Sequence, residues 1–154
     1  MVDLARLPEE ERRHLLEKEF EPFPTTPFVT GLPVSERRVS IITTAGLHRI
    51  DDPPFSMVDL SYRVLPNDIR GQDLAMTHSS VHFDRTGFRE DVNVVFPIDR
   101  LHELAEEGLI GSAARFHYSL MGAGWPPQMI ESTARQLAET LHDDDVNAVV
   151  LSPV

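Results

Sequence analysis

Two segments decide the fold, Phe116-His-Tyr-Ser-Leu-Met-Gly-Ala-Gly-Trp-Pro-Pro-Gln-Met-Ile130 and Val146-Asn-Ala-Val-Val-Leu-Ser-Pro-Val154. The first begins with a strand pattern over 116–120, continues through a glycine-containing turn and opens a helix at its two prolines, which are favoured in a first helical turn. The second is a run of small and β-branched apolar residues that predicts a buried strand. A strand, a helix and a strand joined by short links are typical of parallel neighbours in an α/β sheet.

The same alternation extends towards the N-terminus. A β-branched segment from Val39 to Thr44 predicts the first buried strand, and a shorter strand is expected from Val92 to Phe96. Two helices are predicted by apolar residues at helical spacing, which are Ile98, Leu101, Leu104 and Ala105 before Gly108, then Ile130, Ala134, Leu137 and Leu141. The sequence therefore predicts a three-layer α/β fold with a mostly parallel sheet that is incomplete at the C-terminus.

The N-terminal residues 1–37 differ in composition from the rest. Residues 8–19 predict a short acidic helix, and four prolines between residues 20 and 37 predict an extended arm. We expect this part to wrap on an α/β domain that covers 38–154, so that the whole forms a single domain.

Composition restricts the class of function. The chain has 154 residues and a formal net charge of −11, which argues against nucleic acid or an anionic membrane as a partner. It has no apolar run long enough for a transmembrane helix and no signal-peptide pattern, so a cytoplasmic protein is expected. The absence of cysteine excludes disulfides, thiolate metal ligands and a cysteine nucleophile within these residues.

The densest group of reactive side chains is His78-Ser-Ser-Val-His-Phe-Asp-Arg-Thr-Gly87, inside a long irregular region between residues 47 and 91. Three interpretations fit it. The first is a metal-dependent hydrolase site with His78, His82 and Asp84 as Zn²⁺ or Fe²⁺ ligands, although no helix pattern holds the histidines on one face. The second is a substrate pocket in which Arg85 binds a carboxylate and a histidine transfers a proton. The third is a loop whose polar side chains satisfy only its own backbone.

Two predicted strand ends should border one crevice. Thr44 closes the first strand, and Gly122 follows the strand at 116–120 shortly before a helix whose N-terminal amides can bind an anion. A simple turn explains the first segment at least equally well and explains the second better, and the second is not a dinucleotide-binding fingerprint. Among the other histidines, His117 is predicted to be a structural core residue and His102 a solvent-exposed helix residue.

Several separated blocks, in this order, resemble the selenoprotein B family, which contains the substrate-handling subunits of glycine, sarcosine and betaine reductases and of D-proline reductase. The blocks are Thr43-Thr-Ala-Gly-Leu-His48, Ser61-Tyr-Arg-Val-Leu-Pro66, His78 to Thr86, Asn93-Val-Val-Phe-Pro-Ile-Asp-Arg-Leu101 and His117-Tyr-Ser-Leu-Met-Gly122.

The resemblance implies an oxidoreductase that cleaves a carbon–nitrogen bond reductively. In the family a selenocysteine or cysteine follows the strand similar to Val146–Val154, usually with a second cysteine three residues later. The selenolate or thiolate attacks the carbon alpha to the carboxylate and displaces the amine. In the best-known members a pyruvoyl group on a partner subunit activates the amine, and no cofactor is expected in this chain itself.

The sequence stops where that redox segment should begin. Selenocysteine is encoded by UGA, which is ordinarily a stop codon, so the hypothesis is a selenoprotein B-like polypeptide that ends before its selenocysteine codon. A short paralogue without redox chemistry is the alternative. By residue type, the predicted catalytic residues, which orient or protonate the leaving amine, are His82 and Asp84, and the predicted substrate-binding residues are Thr44, His78, Arg85 and Gly122.

Two further functions remain open at this point, a non-catalytic module that binds a small carboxylate or assists assembly, and the metal-dependent hydrolase. The expected partners are a small amino-acid-like substrate and other reductase subunits. A terminal strand would leave apolar surface uncovered, so self-association into a homo-oligomer is also expected.

Overall fold

The structure is a computed structural model that describes residues 4–17, 24, 29–80, 85–122 and 126–154. The chain divides into two units, Met1–Thr30 and Gly31–Val154. The described part of the first unit contains helix α1, Glu9–Leu16, with Pro8 at its N-cap and three glutamates in its first turn, where they complement the helix dipole. Residues 20–23 and 25–28 of the expected proline-rich arm lie outside the described residues, and the predicted boundary at residue 37 stays a prediction.

The second unit alternates strands and helices along the chain. Short 3-10 turns at Val34–Glu36, Gly71–Asp73 and Val92–Val94 separate some of them. The labelled elements are β1 Arg38–Thr43, β2 Leu47–Arg49, β3 Tyr62–Pro66, β4 Leu74–Met76, α2 Thr86–Glu90, α3 Ile98–Glu106, β5 Ser112–Ala113, β6 Phe116–Leu120, α4 Pro127–Asp143 and β7 Ala148–Ser152.

The main sheet is mostly parallel and is centred on β1. On one side β1 pairs in parallel with β7. On its other side it pairs in parallel with β5 near its start and with β6 near its end. β3 lies outside β6 and is antiparallel to it, while β2 and β4 form a separate antiparallel pair. The predicted α/β class with a mostly parallel sheet is confirmed.

Helices pack on the two faces of this sheet, and β1 contributes an isoleucine to each face. Successive side chains of a strand point to opposite faces, so β1 gives Ile41 to the core that contains Ile98 and Leu101 of α3. Its Ile42 packs against the core that contains Leu137 and Leu141 of α4. Within the part of the chain that the structure describes, no helix is both long and apolar enough to cross a membrane.

The predicted apolar stripes of the two helices are only partly buried. Leu104 of α3 is 39% exposed, and Ala134 of α4 is exposed as well. Both helices therefore pack through a narrower apolar stripe than their sequence spacing predicted.

The strand predicted from Val92 to Phe96 is wrong. Residues Val92–Val94 form a 3-10 turn whose N-cap, Asp91, accepts the amide proton of Asn93 at 2.9 Å. A side chain that bonds to its own neighbouring backbone competes with strand pairing. Val95 and Phe96 are nevertheless buried. The apolar pattern therefore identified core residues correctly but assigned them the wrong secondary structure.

The last strand is present but is not buried as predicted. β7 pairs with β1 on one side only, and the side chains of Val149, Val150 and Leu151 are 39%, 40% and 70% exposed. Val149 and Leu151 share the sheet face on which α4 packs, yet the buried cluster of α4 forms around Tyr118 of β6 instead. The described residues thus leave an apolar edge on the sheet.

Candidate functional site

Thr44, the residue after β1, joins the ends of three parallel strands. Its amide donates to the carbonyl of Ser152 in β7 at 3.1 Å, and its own carbonyl accepts from the amide of Gly122, just after β6, at 2.9 Å. Its Oγ1 accepts the amide proton of Val154 at 2.9 Å. The structure therefore brings Thr44, Gly122 and the residues after β7 together, at the carboxyl edge of the sheet.

Gly122 is tightly packed against Thr44. A Cβ atom at position 122 would lie 2.8 Å from the Thr44 carbonyl oxygen and 2.9 Å from its Oγ1. Real Cβ atoms do not approach oxygen so closely, so a side chain here would displace Thr44. The glycine that the sequence marked as a turn therefore permits a close backbone approach as well.

A second glycine joins the segment after β4 to the same region. Gly46 has a φ of +65°, and a Cβ atom there would lie 2.5 Å from the carbonyl oxygen of Thr77. Its amide donates to Leu120 at 2.9 Å, and its carbonyl accepts from the Thr77 amide at 2.9 Å. The residues that lead into the segment beginning at His78, which we call the His78 loop, are thus fixed to the ends of β1 and β6.

The His78 loop contacts the end of β6 directly. The amide of Ser79 donates to Sδ of Met121 at 3.4 Å. Across the loop, Nη2 of Arg85 donates to the carbonyls of His78 and Ser80. The structure therefore brings His78 and Arg85 into one loop beside the strand end that carries Gly122.

The protonation state of His78 follows from its surroundings. The side chain is buried, and its Nδ1 accepts the amide proton of Ser80 at 3.2 Å, which places the ring proton on Nε2. Burial, and then the positive charge of Arg85, lower the pKa of His78 below its usual value. The imidazole is therefore neutral at neutral pH, and Arg85 contributes a positive charge beside it.

The two residues predicted to be catalytic, His82 and Asp84, lie outside the described residues. Where the chain is described, no group of three or more histidine, aspartate or glutamate side chains is arranged to hold a metal ion. The metal interpretation depends on His82 and Asp84, so it stays a prediction.

His48 supports this region, and sequence reasoning did not single it out. It is buried, its Nδ1 donates to the carbonyl of Arg49 at 2.8 Å, and its Nε2 accepts from the hydroxyl of Thr77 at 2.9 Å. Its ring also packs edge-on against Phe55. The only sequence signal was its position at the end of the Thr43–His48 block, because the contact with Thr77 spans 29 residues.

Two other histidines are held together by Asn67. Its Oδ1 accepts from Nε2 of His117 at 3.0 Å and from Nε2 of His102 at 2.9 Å. His117 is completely buried and hydrogen-bonded, as expected for a structural residue. The expectation that His102 is solvent-exposed is wrong, because it is half-buried against Asn67.

Comparisons with a family model and with individual known proteins point to the same group of reductase subunits. The sequence model described as glycine/sarcosine/betaine reductase selenoprotein B (GRDB) matches residues 9–154. The chain is 33% identical over 135 residues to the D-proline reductase subunit gamma of Acetoanaerobium sticklandii, an alignment that covers 84% of this chain and 55% of that protein. It is 30% identical over 137 residues to the sarcosine reductase complex component B subunit beta of Peptoclostridium acidaminophilum, which covers 86% of this chain and 31% of that protein.

A third relative is the glycine reductase complex component B subunit gamma of Symbiobacterium thermophilum, at 28% identity over 141 residues, with 86% of this chain and 32% of that protein covered. The chain thus spans about half or less of the length of these curated relatives. No solved structure matches it.

Proposed function

Because the chain belongs to the glycine/sarcosine/betaine reductase selenoprotein B family, we propose that it handles the substrate in reductive cleavage of a carbon–nitrogen bond. The redox group is proposed to be a selenocysteine or cysteine that follows β7 in the complete polypeptide. The substrate is an amino acid or N-methylated amino acid, like the D-proline, sarcosine and glycine that the names of the relatives specify. The relatives are named as subunits of reductases, which supports the proposal of an oxidoreductase of the amino-acid reductase type.

The meeting of three strand ends at Thr44 is the observation that best supports this proposal. In open α/β sheets, ligands bind beyond the carboxyl ends of the strands. A residue that follows Val154 would leave the sheet at this edge, since the Val154 amide bonds to Thr44 and Gly122 bonds to Thr44 from the opposite side. The loop that holds His78 and Arg85 contacts Met121 at the same edge.

The proposed reaction has three steps, which are displacement of the amine, release of the carbon product and reduction of the enzyme. The selenolate or thiolate attacks the carbon alpha to the carboxylate, so a carbon–chalcogen bond forms while the carbon–nitrogen bond breaks. The nitrogen leaves with the electron pair of that bond and takes up a proton. A thiol then attacks the chalcogen, the carbon keeps the electron pair and is protonated, and a dithiol reductant restores the free selenol or thiol.

Each residue in the proposed site has a role that suits its charge. Arg85 binds the substrate carboxylate, because a guanidinium is permanently charged and matches a carboxylate in shape. His82 and Asp84 orient the amine and supply its proton. His78, which is neutral, contributes polarity to the pocket without charge. Gly122 borders the substrate through its backbone.

Partner subunits belong to the same proposal. The relatives are named as subunits of reductase complexes, and we propose that this protein acts with other subunits, one of which carries a pyruvoyl group. Self-association of the chain stays a prediction, and sedimentation velocity over a range of concentrations would measure it.

The direct test uses the complete polypeptide that carries the redox residue. We would supply dithiol and partner subunits and measure amine release from glycine, sarcosine and betaine, and ring opening of D-proline. Dithiol-dependent turnover of at least one substrate is expected. Saturable binding of these substrates without turnover would favour the carboxylate-binding module. Stoichiometric zinc or iron, with hydrolytic activity lost on chelation, would favour the hydrolase.

A further inference from the structure

We infer that Thr44 is a positioning residue whose hydroxyl fixes the direction in which the polypeptide leaves β7. This role is distinct from the substrate contact that the sequence predicted for Thr44. Its consequence for the reaction rests on the proposed function, because the residue that leaves β7 there is the proposed redox residue. The inference about the path of the backbone stands independently.

The backbone bonds around Thr44 depart from a regular parallel ladder. In such a ladder the Thr44 amide bonds to Ser152 and the Thr44 carbonyl then accepts from Val154. The first bond is present at 3.1 Å, but the Thr44 carbonyl accepts instead from Gly122, on the opposite side of β1. The Val154 amide bonds to the Thr44 hydroxyl at 2.9 Å. The side chain therefore takes the place of the missing carbonyl.

The neighbouring residues explain this substitution. Pro153 has no amide proton, so Val154 provides the first backbone donor after β7. The Thr44 carbonyl that it would meet in a regular ladder is already bonded to the Gly122 amide. Gly122 makes the arrangement possible, because any side chain at that position would collide with the carbonyl and Oγ1 of Thr44. Thr44, Gly122 and Val154 thus form one unit, which we call the Thr44 junction.

The Thr44 junction sets where the next residue points. The hydroxyl holds the Val154 amide at the level of the sheet, and loss of the hydroxyl would leave that amide without its acceptor. The strand would remain paired through Ser152, but the chain after it would lose its fixed direction. A redox residue at that point would then be positioned less accurately beside Gly122.

Amide exchange of the existing chain tests this inference without any enzymatic activity. We would measure exchange of the Val154 amide by NMR in the unaltered chain, in Thr44→Val, which keeps the shape and removes the hydroxyl, and in Thr44→Ser, which keeps the hydroxyl. Loss of one hydrogen bond should make exchange about fivefold faster in Thr44→Val, and Thr44→Ser should restore protection. Equal protection in all three proteins would overturn the inference.

A chemical probe supplies the second readout. The chain contains no cysteine, so one cysteine added directly after Val154 is a unique label. We expect the pH profile of its alkylation by iodoacetamide to change in the Thr44→Val background and to recover in the Thr44→Ser background. An identical profile in all backgrounds would count against the Thr44 junction.

A third variant covers the case in which Thr44→Val does not fold. Gly122→Ala displaces the same hydroxyl from the opposite side and should also increase exchange at Val154. None of these measurements needs enzymatic turnover. If they give the expected results but the complete polypeptide reduces no substrate, the proposed function is refuted and the inference about Thr44 still holds.

Discussion

The imidazole of His117 takes the place of a backbone acceptor in the sheet, because its Nδ1 accepts the amide proton of Ile41 at 3.0 Å. β1 pairs with β5 at Arg38 and Val39 and with β6 from Ile42 onward, and Ile41 lies between these two pairings. With Nδ1 acting as acceptor, the ring proton resides on Nε2 and is donated to Asn67. A second proton on the ring would eliminate the bond to Ile41.

This relationship predicts that acid weakens the fold through His117. Burial, and then the positive charge of nearby His102, lower the pKa of His117 from 6.5 to about 4. Between these values the unfolded chain binds a proton that the folded chain does not, so stability is full above pH 6.5 and falls as the pH decreases. The expected loss from this residue is about 3 kcal/mol at pH 4.

Urea unfolding at pH 7 and pH 4.5 measures this effect. The free energy of unfolding should differ less between the two pH values in His117→Gln than in the unaltered chain. His78 has a lowered pKa as well, so part of the dependence should persist in the variant. The control is His142→Gln, an exposed histidine of α4. An unchanged pH dependence in His117→Gln would contradict the assignment.

A matched pair of glycines tests the close approach of the His78 loop to the sheet. Gly46 and Gly108 have φ values of +65° and +70°. Backbone strain from an alanine at either position should therefore lower the free energy of unfolding by about 1–2 kcal/mol. A Cβ at Gly108 meets nothing within 4 Å, whereas one at Gly46 lies 2.5 Å from the carbonyl oxygen of Thr77.

We therefore expect Gly46→Ala to lower the free energy of unfolding by about 1–3 kcal/mol more than Gly108→Ala does. Chemical denaturation of both variants measures the difference. Equal losses would mean that Thr77 does not pack against Gly46 in solution.

Local patterns in the sequence predicted the elements whose determinants are local. β1, β6, α3 and α4 follow from strand patterns and from apolar residues at helical spacing, next to proline or glycine at one end or the other. The order of these elements then predicted a mostly parallel sheet with strand ends meeting at one edge. The family, inferred from separated blocks, is confirmed by the match over residues 9–154.

Features set by distant residues could not be predicted in this way. His102 was expected in solvent because its partner, Asn67, lies 35 residues away in sequence. The bond from the Val154 amide to the hydroxyl of Thr44 spans 110 residues. It forms where the carbonyl of Thr44 is already bonded to the Gly122 amide. Exposure of β7 likewise depends on where α4 packs, which the strand's own composition does not encode.

Asp144 should be more important for stability than the exposed ion pairs of the chain. Its carboxylate accepts from Nη2 of Arg38 at 2.7 Å and from the amide of Arg115 at 2.9 Å, and its side chain is only 12% exposed. Replacing this acceptor leaves a partly buried guanidinium and an amide with a weaker partner. We expect Asp144→Asn to lower the free energy of unfolding by about 1–3 kcal/mol.

The matched control is Glu131→Gln, which removes an i,i+4 pair with Arg135 whose side chains are 58% and 76% exposed. Such pairs contribute about 0.3–0.5 kcal/mol. Thermal or urea unfolding of the two variants gives the comparison, and a loss in Asp144→Asn no larger than in the control would refute the role of Asp144.

Arg85 and Arg89 provide the sharpest test of the proposed substrate site. Both are arginines of the same segment, but Arg85 is half-buried with Nη2 on two loop carbonyls, whereas Arg89 is exposed at the end of α2. If Arg85 binds the substrate carboxylate, Arg85→Gln in the complete enzyme removes a charge-assisted hydrogen bond. We expect KM to rise about 10- to 100-fold, and Arg89→Gln to leave it unchanged.

A structural role of Arg85 in the loop would also weaken activity, so the substrate must be varied as well. The carboxamide of the same amino acid has the shape of the substrate without its negative charge. Loss of the guanidinium should weaken binding of the acid much more than binding of the amide, which isothermal titration measures for both ligands. Equal weakening of both would mean that Arg85 only shapes the loop through His78 and Ser80, and the carboxylate would have to be bound elsewhere.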